Sequence, residues 1–306
     1  MRRSAAVLGR GVKWVRGHPA LNLPLTTLLR AGLRGLGRES PWLVKHLPRS
    51  GVVSARLPNH AQLRLWSRGD DWICTQIFWR GLRGYEPETV PVFFALAQRA
   101  AVIVDVGAYV GYFTVMAALA NPGARVIALE PFPATFERLQ RNVSLNSAAN
   151  VVCRNVAAGA SAGPAELHHM SHGMSMAASL DPAHLAPWDH VTTSVPVVRL
   201  DQLLSELGLR HVDLIKLDVE AMEVGVLKGA VQILQRDHPD IVCEVLSAEN
   251  GARLGAMLEP LGYRFFELRK SGPCHREKIM PSRAGNYLFT TAALSHLPSA
   301  GGNTLV

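Results

Sequence analysis

The sequence predicts an α/β fold built around a mostly parallel sheet. Three observations carry this reading: from Ala100 onward short aliphatic runs alternate with helical periodicity, the first of them ends in a glycine-bearing turn, and polar residues collect where the central runs end. At 306 residues, 48% hydrophobic and 18% charged, the chain is long enough for one large or two modest domains and too apolar for general disorder.

The elements follow in order. Residues 1–38 hold Arg2, Arg3, Arg10, Lys13, Arg16, Arg30, Arg34 and Arg38 and no acid, so this arm accounts for the whole net charge of +8. With a neutral body the basic excess is no argument for nucleic-acid binding. The arm reads as a solvated tail, as an amphipathic segment on anionic lipid or as a targeting peptide, and no run of about 18 apolar residues could span a bilayer. Gly51 to Leu57 and Ala61 to Trp66 read as a small hairpin about Pro58 and Asn59.

Five strands are expected at Ala101–Asp105, Arg125–Leu129, Val151–Asn155, Val212–Leu217 and Ile241–Val245, with Arg264–Leu268 and Asn286–Thr290 as a closing pair. Between them, Phe136, Leu139 and Val143 form one helical stripe, and Val224, Leu227, Val231 and Leu234 another. Residues 157–192 are rich in Gly, Ser, Met and His without a clear period and read as a long excursion from the sheet. Cys74, Cys153, Cys243 and Cys274 form no CxxC pair, so reduced thiols in a cytoplasmic protein are expected. The final GGNTLV reads as a frayed end.

The strongest chemical signal is VIVDVGAYVGYFT from Val102, where a buried strand ends in Asp105 and Gly107, Ala108, Tyr109 and Gly111 open a helix. Glycines there let backbone approach a ligand, and a helix start offers free amides. The spacing is not GxGxxG, and a carboxylate beside the turn would repel a pyrophosphate. Glu130, twenty-five positions after Asp105, ends the next strand and can accept both hydroxyls of a ribose, with Pro131 following and Phe132 available to stack on a purine. An adenosine without pyrophosphate is required, and S-adenosylmethionine satisfies it.

The later segment VDLIKLDVEAMEVGVLKGA from Val212 places Lys216, Asp218, Glu220 and Glu223 at the carboxyl end of a central strand, where ligand crevices lie. Alternation would put Lys216, Asp218 and Glu220 on one side if the strand stays extended. A solvated helix start accounts equally for Glu223. Two nearby acids could hold a divalent metal, but no full ligand set is visible and none is assigned. His168, His169 and His172 have no carboxylate partner, and neighbouring strand residues face opposite ways.

Residues from about 79 to 290 resemble the FkbM family of S-adenosylmethionine-dependent methyltransferases. The likeness is distributed over WRGLRGYEPETV, DVGAYVGYFT, ALEPFPATFERLQRNVSLN, NVAAG, VVRLDQLL, LIKLDVEAMEVGVLKGA and PDIVCEV, in the family's order. Two departures stand out, since the family commonly has Asn at Tyr109 and Gly at Ala221.

The resemblance implies a class I methyltransferase Rossmann-like fold, with a seven-stranded, mostly parallel sheet and helices on both faces. It implies S-adenosylmethionine held by Glu86, Asp105, Gly107, Ala108, Tyr109, Gly111, Glu130, Pro131, Phe132, Asn155, Val156 and Asp218. It further implies O-methylation of a sugar or secondary-metabolite hydroxyl, with Asp218, Glu220 and Lys216 at the chemistry. The expected organisation is a basic arm over 1–40, a lead-in with the hairpin over 41–90, the methyltransferase domain over 91–294 and a tail over 295–306, with a small-molecule or glycan acceptor, no nucleic acid, and contact with anionic membrane through the arm. A nucleotide-dependent oxidoreductase, or a membrane-surface protein with a vestigial pocket, are the alternatives.

Overall fold

The computed structural model describes residues 19–35, 40–170, 178–181, 190–281, 285–294 and 297. Much of the basic arm, His172 and most of the C-terminal tail lie outside them. The chain divides into two compact units, Met1–Tyr85 and Glu86–Val306.

The first unit contains α1 (Pro19–Gly35), α2 (Pro41–His46), β1 (Ser50–Arg56), β2 (Gln62–Arg68) and α3 (Trp72–Arg80). β1 and β2 form the expected antiparallel hairpin, registered from Ser50 opposite Arg68 to Arg56 opposite Gln62. Alternation buries Val53, Ala55, Leu63 and Leu65. Asp71 starts α3 by accepting the Cys74 amide at 2.5 Å, which satisfies one of the helix's free donors.

The second unit runs α4 (Thr89–Ala97), β3 (Val102–Val106), α5 (Tyr112–Ala120), β4 (Arg125–Leu129), α6 (Pro133–Leu145), β5 (Val151–Arg154), β6 (Ala157–Ala158), β7 (Gly163–Met170) and β8 (His190–Val198). It continues with α7 (Leu200–Glu206), β9 (Leu214–Leu217), α8 (Glu223–Lys228), α9 (Val231–Asp237), β10 (Asp240–Glu244), α10 (Ala248–Leu258), β11 (Arg264–Arg269), β12 (Gly272–Arg276) and β13 (Asn286–Thr290). The main sheet has the order β12-β11-β13-β10-β9-β3-β4-β5. β5, β4, β3, β9 and β10 are parallel, while β13 lies antiparallel between β10 and β11. Without β12 this is the doubly wound, seven-stranded arrangement that the resemblance implies.

β12 is an eighth strand beyond that expectation. It pairs with β11 through a tight turn in which Gly272 has φ 95°. Pro273 obscures it in the sequence, because proline suits only the edge of a sheet, and β12 is an edge. The excursion is also more regular than expected. β6, β8 and β7 form a separate three-stranded sheet, with Ala157, Leu167, Val195 and Val197 as its own small core.

Both faces of the main sheet are covered. Ile127 and Ile215 point to a core closed by Leu200, Val226, Leu227 and Leu234, whereas Ala128 points the other way, against Leu139 of α6. Parallel register sets Lys216 beside Asp105 on one side and Val242 on the other, so the carboxyl ends of three central strands align. Among the described residues no helix is long and apolar enough to cross a membrane.

Candidate functional site

After β3 the chain turns through Gly107 to Gly111 before α5 begins. Gly107 has φ +80°, and a Cβ on it would lie 1.8 Å from the Asp218 carbonyl oxygen; one on Gly111, at φ +88°, would lie 2.6 Å from Leu139 Cδ1. The two glycines are therefore also required by packing, against β9's continuation and α6. The amides of Gly107 and Ala108 both donate to the Leu129 carbonyl, at 3.0 and 2.9 Å, and so bind this turn to β4. Tyr109 adopts φ 49°, the left-handed region where Asn is better tolerated than an aromatic residue.

Glu130, at the end of β4, is buried and holds this turn together. One carboxyl oxygen accepts the Tyr109 amide at 2.8 Å; the other accepts the Phe132 amide at 2.9 Å and the Thr135 hydroxyl at 2.7 Å. A carboxylate offers about four acceptor positions, so these three donors leave room for about one ligand hydroxyl rather than two. Burial pushes Glu130 up to about 7, against the pull of those hydrogen bonds. Asp105 is likewise buried, accepts the Thr114 hydroxyl at 2.5 Å, and is pushed up to about 6 by desolvation.

The remaining expected cofactor residues are placed as follows. Pro131 and Glu130 present their carbonyls to the side-chain amide of Asn155, at 3.0 and 2.8 Å, so Asn155 ties β5's end to β4's. Val156 packs against the main core. Phe132 lies against the His169 ring, centroids 4.4 Å apart, and joins the excursion's apolar cluster. Glu86, at φ 42°, accepts the Asn286 side-chain amide at 3.0 Å, and its charge reaches Lys216.

The second half of the site surrounds Lys216. This lysine is 1% exposed, its ammonium stands 3.3 Å from Asp218 Oδ2 and 4.9 Å from the centre of the Phe113 ring. Burial alone would lower its pKa, but Asp218, Glu86, Glu244 and Asp105 together raise it, so it is a fixed cation. It acts here as the counter-charge of the acids around it. β9 ends at Leu217, so the chain does not stay extended as far as Glu220; instead Glu220 and Ala221 take positive φ of 50° and 76°. That turn, and not strand alternation, brings Asp218 and Glu220 together.

A third acid joins them. Asp218, Glu220 and Glu244 each offer a carboxylate oxygen, all lying within 4.8 Å of one another. Glu244 went unrecognised in the sequence, although its place at the end of PDIVCEV, one strand from Asp218, was a readable signal. Burial and then the charge of Asp218 push Glu220 up to about 8, and the same two causes raise Glu244. These three groups could hold a divalent cation as well as exchange protons. Glu223, expected as a possible solvated helix start, is instead fully buried, accepting the Ala221 amide at 3.1 Å and the Asn250 side-chain amide.

His169 is also accounted for structurally, by the Thr193 hydroxyl at 2.9 Å and the Met170 carbonyl at 3.0 Å. His168 and His190 stack edge to face.

Residues 105–265 match the model of the methyltransferase FkbM domain. Methyltransferase 1 of Beauveria bassiana is 32% identical over 159 residues, which are 47% of this chain and 62% of that protein. Methyltransferase sdnD of Sordaria araneosa is 28% identical over 192 residues, 53% of this chain and 73% of that one. The chain thus spans less than two thirds of the first of these relatives. The solved FkbM methyltransferase of Methylobacillus flagellatus is 19% identical with a TM-score of 0.41, over 62% of this chain and 43% of that structure.

Proposed function

The chain belongs to the FkbM methyltransferase family, whose domain it matches over more than half its length, and its cofactor is S-adenosylmethionine; from this premise we propose that it methylates a hydroxyl oxygen of a sugar or secondary-metabolite acceptor, with Asp218 taking the proton. The observation that carries the reading is the convergence of Asp218, Glu220 and Glu244 beside Lys216 at the aligned strand ends.

The residues fit the cofactor by the chemistry of the donor set. Five acids, Asp105, Glu130, Asp218, Glu220 and Glu244, meet one buried cation at this edge, which favours a ligand with positive charge and hydroxyls and disfavours one with phosphates. When bound, S-adenosylmethionine supplies a methyl group already activated on a sulfonium. The protein's task is then to hold the acceptor in line, exclude water and remove a proton. Glu130 would hold one ribose hydroxyl while keeping the Tyr109 turn in shape.

Burial and the charge of Asp218 raise Glu220 and Glu244 toward their protonated forms, and the base is assigned to Asp218, 3.3 Å from the Lys216 ammonium. Lys216 fixes that carboxylate in place.

A second reading is favoured by the three converging oxygens, which could hold a divalent ion that lowers the acceptor hydroxyl's pKa. One experiment separates the two. With a competent acceptor, Asp218→Asn should cut turnover roughly 100-fold while calorimetric affinity for S-adenosylmethionine changes little and added magnesium restores nothing. Loss of wild-type activity in chelator, regained with a divalent ion, would favour the metal; normal turnover by the Asn variant would remove Asp218 from both roles.

A further inference from the structure

The structure of the first unit points away from the methyl-transfer site to a second property, which does not depend on it. α1 inverts the usual arrangement of an amphipathic helix, in which the apolar stripe faces the protein. Its fully buried residues, Asn22 and Thr26, are polar, with Leu23 packed beside them against Gly51. Asn22 donates to the Pro48 carbonyl and accepts the Ser50 amide, each at 2.9 Å, while Arg49 donates to Thr26 at 2.6 Å. Arg30 and Arg49 both lie over the Phe78 ring, at 4.8 and 4.7 Å, which further fixes the helix on its unit.

Other leucines point outward. Leu21, Leu25 and Leu28 are 42%, 38% and 71% exposed. At about 100° per residue they fall within a stripe about 60° wide. Trp42, Val52 and Trp72 are exposed in the same unit, so that among the described residues six of nine exposed large hydrophobic side chains belong to it.

Charge is concentrated in the same unit. Met1–Tyr85 carries 15 Lys and Arg against 3 Asp and Glu, a net +12, whereas Glu86–Val306 carries 17 against 21, a net −4. α1 itself contains no acid. Apolar side chains presented from an acid-free helix of a strongly basic unit suit a surface that is at once anionic and apolar beneath. A second copy of the chain suits it poorly, since pairing would bring two such charges together. Nucleic acid would use the charge but leave the leucines in water.

We propose that α1 docks the first unit onto an anionic lipid bilayer, with Leu21, Leu25 and Leu28 entering the headgroup boundary and the surrounding basic residues meeting the lipid charge.

The test is flotation of the full chain with phosphatidylcholine vesicles containing none or about 30 mol% phosphatidylglycerol. Binding to the anionic vesicles is expected to fall roughly tenfold or more in Leu21→Gln/Leu25→Gln/Leu28→Gln and several-fold in Leu28→Gln alone, with melting unchanged. Leu28 is the most exposed of the three, so the single variant tests the idea even if the triple one folds poorly. The proposal fails if the wild type ignores anionic vesicles or if the variants bind them equally. It fails also if the substitutions abolish a dimer in sedimentation, if they lower the melting temperature without changing vesicle binding, or if a short RNA duplex binds wild type and variants alike and displaces the vesicles.

Discussion

The hydroxyl of Ser179 donates to the backbone carbonyl of Glu220 at 2.6 Å, joining the excursion between β7 and β8 to the turn that carries the acid cluster. Ser179 is 1% exposed, its backbone pairs with His168 of β7, and its oxygen also accepts the Asp181 amide at 3.0 Å. Glu220 is held at φ 50°, a conformation that persists only where surroundings enforce it. Ser179→Ala is therefore expected to lower kcat several-fold with affinity for S-adenosylmethionine nearly unchanged, and Ser179→Thr should recover part of the loss. Wild-type turnover in the Ala variant would show that the acid turn holds its shape unaided.

Ala221 sits at φ 76°, where a Cβ is disfavoured and glycine is not. A left-handed alanine costs about 1–2 kcal/mol, offset by the greater freedom glycine gives the unfolded chain, so Ala221→Gly should stabilise by about 0.5–1 kcal/mol. Thermal unfolding should show a rise of about 1–4 °C. A lower melting temperature would mean that the Ala221 methyl makes packing contacts worth more than the strain.

Both departures from the family pattern, Tyr109 and Ala221, fall on positive-φ positions, which no single sequence displays. The strands were legible to within a residue or two, because parallel strands buried on both faces read as aliphatic runs such as VIVDV and LIKL. Less was legible where the signal depended on position. β12 contains a proline, and β7 and β8 carry a polar outer face on a small core. The site shows the same division. Asp105, Glu130 and Asp218 are strand-end acids and visible as such, whereas the reasons for Gly107 and Gly111 lie in Asp218 and Leu139, far away in sequence. α1 was hidden by composition, since a helix that buries Asn22 and exposes leucines gives an amphipathic pattern without its orientation.

Glu130 now has two duties, and removing it should affect both. Glu130→Ala removes the side-chain acceptor of the Tyr109 and Phe132 amides, while the Thr135 hydroxyl keeps the Phe132 carbonyl at 2.8 Å. A lost hydrogen bond to a charged group costs about 1.5–3 kcal/mol, so the melting temperature should fall along with affinity for S-adenosylmethionine. Glu130→Gln keeps one acceptor oxygen and should lie between. An Ala variant that melts like wild type would refute the structural duty; calorimetry showing unchanged affinity would refute the ribose duty.

The raised carboxyls also set how stability varies with pH. Asp105 at about 6, Glu130 at about 7 and Glu220 at about 8 are held up chiefly by burial, and Glu244 is raised for the same reason. In the unfolded chain such groups titrate near about 4, so between there and the folded values the native state binds more protons. Their contribution is fully present below the unfolded value and is lost as pH rises through about 6 to 8. Lys216, raised above its ordinary range, keeps its proton throughout and does not oppose the trend. Without ligand, the melting temperature should therefore decline from about pH 5.5 to about pH 8.5. Glu220→Gln removes the group with the highest of the three values and should lessen the decline throughout the interval up to about pH 8. A melting temperature that is constant or rises over this interval would mean that these acids ionise freely in the folded protein and that the cluster is open to water.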